Sequence, residues 1–319
     1  MCGQAPSLLR GVDCKMKSKT PARRSQREKA EARVAYICLI PAFVGLTVLT
    51  YGPLLAVFGI SFFSWRGVGT PQFTGLGNYI RLFTTDPYFL TSIKVTVYFS
   101  LLAVLGSMVY SLVIAMLLNR RIPARGFFRA LFYLPYILPA AAVYIGWSWL
   151  YETNFGLFNY LLNLIGIKNV MFLADVKMVV PSLALIAVWL SGNLIVIFLA
   201  GLQNVPRVYH EAAQIDGANG FQRFIHVTLP CMTPIIFYNL LMALITNLQV
   251  VTPALSLTEG GPASGSMFLT YLMYRYAFKS NQLGYASAIS FIIFLLIALF
   301  TGILFATSKG WIFYEGGDD

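Results

Sequence analysis

The chain has 319 residues, 58% of them hydrophobic and only 11% charged, with a mean hydropathy of +0.70. A water-soluble domain of this length would not carry so few charges, so the composition excludes an ordinary soluble enzyme or binding module and predicts a polytopic membrane protein. A formal net charge of +11 would suit a nucleic-acid binder, but the basic residues lie mostly in segments expected on the cytoplasmic side, where the positive-inside rule accounts for them.

Residues 1–34 are polar and hold nine Lys and Arg, from Arg10 to Arg33, which predicts a cytoplasmic tail rather than a signal peptide. Met16 opens the stretch MKSKTPARR, and the native chain is expected to start there. Six apolar segments follow, near 35–63, 93–118, 130–150, 178–202, 231–253 and 286–308, each long enough to cross a hydrocarbon core that needs about 20 helical residues. Pro41 and Pro53 are expected to bend the first segment, and Pro135 and Pro139 the third. An even number of crossings puts both termini on one side. Sixteen Lys and Arg, including Arg120, Arg121, Arg125 and Arg129, fall in the segments assigned to the cytoplasm and seven outside, which predicts both termini inside. Trp65, Trp149, Tyr151, Trp311 and Phe313 fall near expected interfaces. Cys2, Cys14, Cys38 and Cys231 form neither a disulfide framework nor a zinc pattern.

Glu211–Pro230, within a loop over 204–230, is the longest polar break between two strongly apolar segments, and it still carries helical order. Val208, Ala212 and Ile215 recur at i, i+4 and i+7, predicting a short helix with one apolar face, while Arg207, His210, Glu211 and Gln214 lie elsewhere on it. It should begin near Pro206 and stop at Gly217, which tolerates the left-handed conformation of a helix end. A second short helix can start at Asn219, with Gln222 placed to complete a capping box. Ala212 and Ala213 remove side-chain bulk, so the helix can press closely into a groove of another protein, and Glu211 and Asp216 offer it charged acceptors.

Glu211, Ala212, Ala213, Gly217, Leu229 and Pro230 resemble the EAA signature of the membrane subunits of binding-protein-dependent ABC importers. Val227 stands where that signature usually has Ile, and Asp216-Gly-Ala218 resembles the carbohydrate branch. Three further stretches are similar to that branch: Gly75-Leu-Gly-Asn-Tyr-Ile-Arg-Leu-Phe83, Thr258-Glu-Gly-Gly-Pro262 and Gly284-Tyr-Ala-Ser-Ala288. The resemblance spans most of residues 35–310. It implies an all-α membrane protein of six transmembrane helices with a cytoplasmic helix-turn-helix coupling loop, like a type I ABC importer permease. Glu211, Ala212, Ala213, Asp216, Gly217, Ala218, Leu229 and Pro230 would then serve coupling to an ATPase. The implied partners are a second homologous permease, an ATPase dimer that holds ATP and Mg, and an extracytoplasmic sugar-binding protein. The implied organisation is a tail over 1–34, a permease domain over 35–310 with its coupling loop at 204–230, and a cytoplasmic C-terminus over 311–319 in a bacterial cell membrane.

Uphill transport needs an energy source. All twelve acidic residues fall outside the six segments and both histidines, His210 and His226, sit in the polar loop, so ion coupling lacks its usual intramembrane group. No G-x-x-x-x-G-K-[ST] phosphate cradle occurs either, so ATP would have to be hydrolysed by a separate subunit. No clustered His, Cys and acid set suggests catalysis or a metal. For the substrate path, Trp189 and Asn193 are four apart and expected on one face, and Tyr238, Asn239, Asn247 and Gln249 sit in the fifth segment; amides and aromatic faces suit hydroxyl-rich sugars. Equally, such amides can bond across helices, contributing about 0.6–2 kcal/mol each. Alternatives are a permease for glycerol-3-phosphate or a charged oligosaccharide, or an ion-coupled secondary transporter. The only cation in the segments is Lys94 at an edge, which favours a neutral sugar.

Overall fold

The computed structural model describes residues 26–308 and 310–312. The expectations for Met16, for most of the basic tail and for residues 313–319 lie outside them. Two compact units divide the chain, Met1–Leu55 and Ala56–Asp319. In the first, α1 (Gln26–Leu46) runs through Pro41 and passes into a π turn (Thr47–Tyr51), in which the Gly52 N–H donates to the Thr47 carbonyl. The widened turn falls just ahead of Pro53, whose ring would collide with the carbonyl four residues back in a regular helix. Residues 26–34, expected in the tail, belong to α1. Val34, Ile37, Ile40, Phe43 and Leu49 are all exposed. With α2 (Gly52–Ile60) the apolar run Arg33–Ile60 is 28 residues, enough to span a bilayer.

The second unit adds a feature absent from the expectations, a two-stranded antiparallel ribbon of β1 (Phe63–Ser64) and β2 (Gln72–Phe73), with Phe63 opposite Phe73. Helices then follow in order: α3 (Gly77–Thr84), α4 (Phe89–Asn119), α5 (Arg125–Ile137), α6 (Ala140–Leu150), α7 (Leu157–Leu164), α8 (Val176–Trp189) and α9 (Gly192–Asn204). After these come α10 (Arg207–Ile215), α11 (Gly220–Arg223), α12 (Leu229–Cys231), α13 (Thr233–Leu248), α14 (Leu269–Tyr274) and α15 (Leu283–Ser308).

Six crossings are present only if bent pairs count as single spans. Besides Arg33–Ile60, α4 and α15 are continuous, whereas α5 and α6 meet at 99°, α8 and α9 at 49°, and Gly220–Cys231 meets α13 at 68°. The bend expected in the third segment falls at Leu138–Pro139, while Pro135 stays inside α5. Breaks in the fourth and fifth segments were not expected. In the fourth, the Ser191 hydroxyl donates to the Val188 carbonyl at 2.6 Å and lies 2.9 Å from Ser111 Oγ of α4, so side chains satisfy the interrupted backbone.

The spine of this unit is α4, which packs against α3, α5, α8, α9, α13 and α14. Its inward stripe is small: Ser92, Thr96, Ser100, Ala103, Ser107, Ser111 and Ala115 recur every three or four residues and all are buried. Small side chains let neighbouring backbones approach where lipid supplies no hydrophobic drive between helices. Phe99, Val180, Leu183, Phe268, Tyr271 and Ile289 form one core around it, and Leu118, Phe198, Leu202 and Met232 a second toward its C-terminus. Tyr151, expected at an interface, is buried in the first core with its hydroxyl donating to the Ser182 carbonyl at 3.0 Å.

Two of the short motifs read from the sequence meet at the head of α4. Asn78 donates to the Ser61 and Phe63 carbonyls at 2.8 and 3.0 Å, holding α3 to the ribbon, and the Gly284 N–H donates to the Trp65 carbonyl at 3.1 Å. Asp86 accepts from the Tyr276 and Tyr285 hydroxyls, both at 2.7 Å, and from the backbone N–H groups of Tyr88 and Phe89. Above Tyr285 sits the Arg81 guanidinium, 4.3 Å from the ring centre.

Candidate functional site

Helix α10 begins at Arg207, one residue after Pro206, which takes an extended ψ of 132° in the capping position. It ends in a left-handed turn: Gly217 has φ +77°, its N–H donates to the Gln214 carbonyl at 3.0 Å, and the Ala218 N–H donates to the Ala213 carbonyl at 2.9 Å. These two bonds satisfy carbonyls that the helix itself leaves unpaired. One residue later the expected capping box forms: Asn219 Oδ1 accepts from the Gln222 N–H, and Gln222 Oε1 from the Asn219 N–H, both at 2.9 Å. A helix end and a helix start are thus stapled with only Ala218 between them. The corner is held by the backbone bonds on one side and by the box on the other.

What this corner presents is apolar and open. Val208 is 69% exposed, Ile215 87% and Phe221 71%, with Glu211, Ala212 and Asp216 exposed beside them. The expected apolar face therefore exists, but it turns outward instead of packing on the rest of its unit. Ala213 and Ala218 are half-buried. Leu229 and Pro230 lie at the other end of the loop, half-buried in α12, where the Thr233 hydroxyl donates to the Pro230 carbonyl at 2.7 Å.

A cavity of about 500 Å³ opens among α4, α6, α9 and α13. Interrupted helices converge on it: Leu138 and Ala140 from the first break, Leu190 and Ser191 from the second, and residues 249–253 beyond the end of α13. The fifth apolar segment was expected to be helical to 253, but α13 stops at Leu248. Irregular backbone at membrane depth is stable where it lines a cavity that can supply hydrogen-bonding partners. Asn193, Asn247 and Gln249 line this space; Asn247 donates to the Ala243 carbonyl of its own helix at 2.8 Å. Ser107, Tyr136, Tyr144, Thr246 and Thr252 line it too, none of them singled out from the sequence, and no charged residue does.

Trp189 and Asn193 do not share a face, because the chain breaks between them; Trp189 packs edge-on against Trp147 at 5.6 Å, outside the cavity. Tyr238 is 48% exposed and also outside it. Asn239 is fully buried in α13, with neither amide atom hydrogen-bonded. Among the described residues, no group of three or more His, Cys, Asp or Glu could hold a metal.

Residues 107–311 match the model of the family described as "Binding-protein-dependent transport system inner membrane component". The chain is 36% identical to the probable ABC transporter permease protein YesP of Bacillus subtilis, covering 93% of this chain and 97% of that protein. It is 34% identical to the multiple sugar-binding transport system permease protein MsmF of Streptococcus mutans, over 85% of this chain and 93% of that protein. It is 30% identical to the trehalose/maltose transport system permease protein MalF of Thermococcus litoralis, over 87% and 94%. In fold it is similar to a chain of a bacterial ABC transporter involved in importing the acidic polysaccharide alginate, with a TM-score of 0.75, 21% identity, and 89% of this chain and 97% of that one covered.

Proposed function

Because the chain belongs to the family of binding-protein-dependent transport system inner membrane components, we propose that it is the permease subunit of an ATP-driven importer that moves a sugar inward by alternating access. The names of its relatives support sugar as the substrate class. The observation that carries the reading is the exposed apolar surface of Val208, Ile215 and Phe221 on a corner stapled at both sides. An unpaired apolar surface on a rigid support is what a docking element needs, since the ordering cost is met before the partner arrives. Glu211 and Asp216 add charged acceptors for the partner's amides or cations.

In this reading the partner is an ATPase subunit, one of a pair that closes on ATP and Mg and opens after hydrolysis. Each closure swings a coupling corner, and rigid-body rotation of the permease halves exposes the cavity alternately to either side. A second permease completes the path, and an extracytoplasmic binding protein delivers the sugar. Both termini and the 204–230 loop lie in the cytoplasm, with residues 35–310 as the permease domain. Asn193, Asn247 and Gln249 would hold hydroxyl groups in a chamber without charge.

Co-purification from native membranes tests this. The tagged wild-type chain should retain a second permease and an ATPase with a phosphate-binding loop. Glu211→Lys should lose the ATPase and reduce uptake to background while remaining in the membrane at normal level; normal uptake by that variant would overturn the docking assignment.

A further inference from the structure

Four arginines gather where α4 ends and α5 begins, and nothing acidic lies between Asp86 and Glu152 to offset them. Arg120 and Arg121 are exposed. Arg125 donates from Nε to the Leu118 carbonyl at 2.5 Å and reaches Asn119 Oδ1 at 3.5 Å. Arg125 and Arg129 both donate from Nη2 to a single oxygen, that of the Gln203 amide of α9, at 3.0 and 2.9 Å when the amide is turned to accept them. Arg129 Nε is buried and has no partner. Two half-buried guanidinium groups thus converge on one neutral amide, and among the described residues no acidic group that they touch compensates their charge. Burial makes that arrangement costly unless an anion joins it.

Farther along the same two helices lies an apolar groove of about 280 Å³, walled by Tyr110, Leu131, Leu134, Pro135, Leu138 and Trp189. Tyr110 is eight residues before Leu118 on α4, about 12 Å at 1.5 Å per residue, and Leu134 is five beyond Arg129 on α5. A paired cationic cradle with an apolar groove one or two helical turns deeper fits an amphiphile carrying a phosphate at one end. We propose that Arg125, Arg129 and this groove form a binding site for an anionic phospholipid, with the phosphate seated between the guanidinium groups and an acyl chain lying in the groove. Basic pockets between transmembrane helices recognise such headgroups by charge-assisted hydrogen bonds. Gln203 stands three residues before Pro206, so a lipid seated there touches the root of the coupling loop.

Native mass spectrometry of the purified full chain in mild detergent, titrated with phosphatidylglycerol and with phosphatidylcholine, tests the site. At about fivefold per arginine, the wild type should prefer phosphatidylglycerol by roughly twenty-five-fold, and R125Q/R129Q should bind both lipids alike. Leu134→Gln, with the arginines intact, should weaken both lipids together, separating the groove from the cradle. The wild-type comparison decides even where a variant fails to fold: equal binding of the two lipids would overturn the proposal. Displacement of phosphatidylglycerol by millimolar inorganic phosphate would overturn it too, by making free phosphate the ligand. So would a folded R125Q/R129Q chain that keeps its lipid preference but loses a co-purifying protein, because the arginines would then face that partner.

Discussion

Asp86 uses both carboxylate oxygens at the head of α4, one on two tyrosine hydroxyls and one on two backbone N–H groups. Removing it strands four donors around a half-buried site. Asp86→Ala should therefore destabilise the protein by about 2–4 kcal/mol, read as a lower unfolding midpoint in detergent. Burial, reinforced by the neighbouring carboxylate, pushes the Tyr276 hydroxyl from its ordinary value of 10 up to about 12. A raised tyrosine keeps its proton in the folded state, so its stabilisation is complete below pH 10 and disappears as pH climbs through 12. The gap in midpoint between wild type and Asp86→Ala should accordingly hold steady up to pH 10 and shrink between 10 and 12. A gap independent of alkaline pH would show that the carboxylate does not act through Tyr276. At this scale the sequence was least informative. Asp86 read only as an acid outside the apolar segments, because its partners Tyr276 and Tyr285 are some two hundred residues away.

Elements fared better wherever a local rule decided the outcome. The end of α10 at Gly217 and the Asn219–Gln222 capping box were legible because both depend on neighbours within five residues. The breaks at Leu138–Pro139 and Leu190–Ser191 divide on the same principle. The first has a proline to announce it, while the second has only Ser191 and Gly192, whose meaning lies in α5. A Cβ on Gly192 would meet the Phe132 carbonyl oxygen at 2.8 Å and Tyr133 Cα at 3.1 Å, so the start of α9 touches the backbone of α5. Gly192→Ala should cost about 1–3 kcal/mol, because backbone has no rotamer with which to yield. An unfolding midpoint indistinguishable from wild type would mean the two helices are not so close. The small-residue stripe of α4 was likewise present in the sequence, spaced by three and four, but an apolar background hides a pattern of small side chains from any hydrophobicity count.

At the scale of the whole molecule the fold class, the membrane character and the family were all readable, since they rest on composition and on one polar loop of matched residues. The cavity was not, because it is made where three parts of the chain stop being helical, and helix interruption in an apolar run leaves little trace in composition. Its uncharged lining makes a prediction about substrates. In the assembly proposed above, competition for uptake should rank uncharged sugars above those bearing carboxylate or sulfonate groups, and a preference for the acidic ones would require the proposed second permease to supply the cations. Those interrupted helices also bear on how such a protein changes over evolutionary time. Carbonyls at helix ends belong to the main chain and survive any point mutation, and the N–H groups survive all but a change to proline, so part of the chamber's polarity is largely beyond the reach of drift. Side chains at 193, 247 and 249 can then be exchanged against a constant polar background, and a library confined to those three positions should yield altered sugar preference at a higher rate than one spread over the spans.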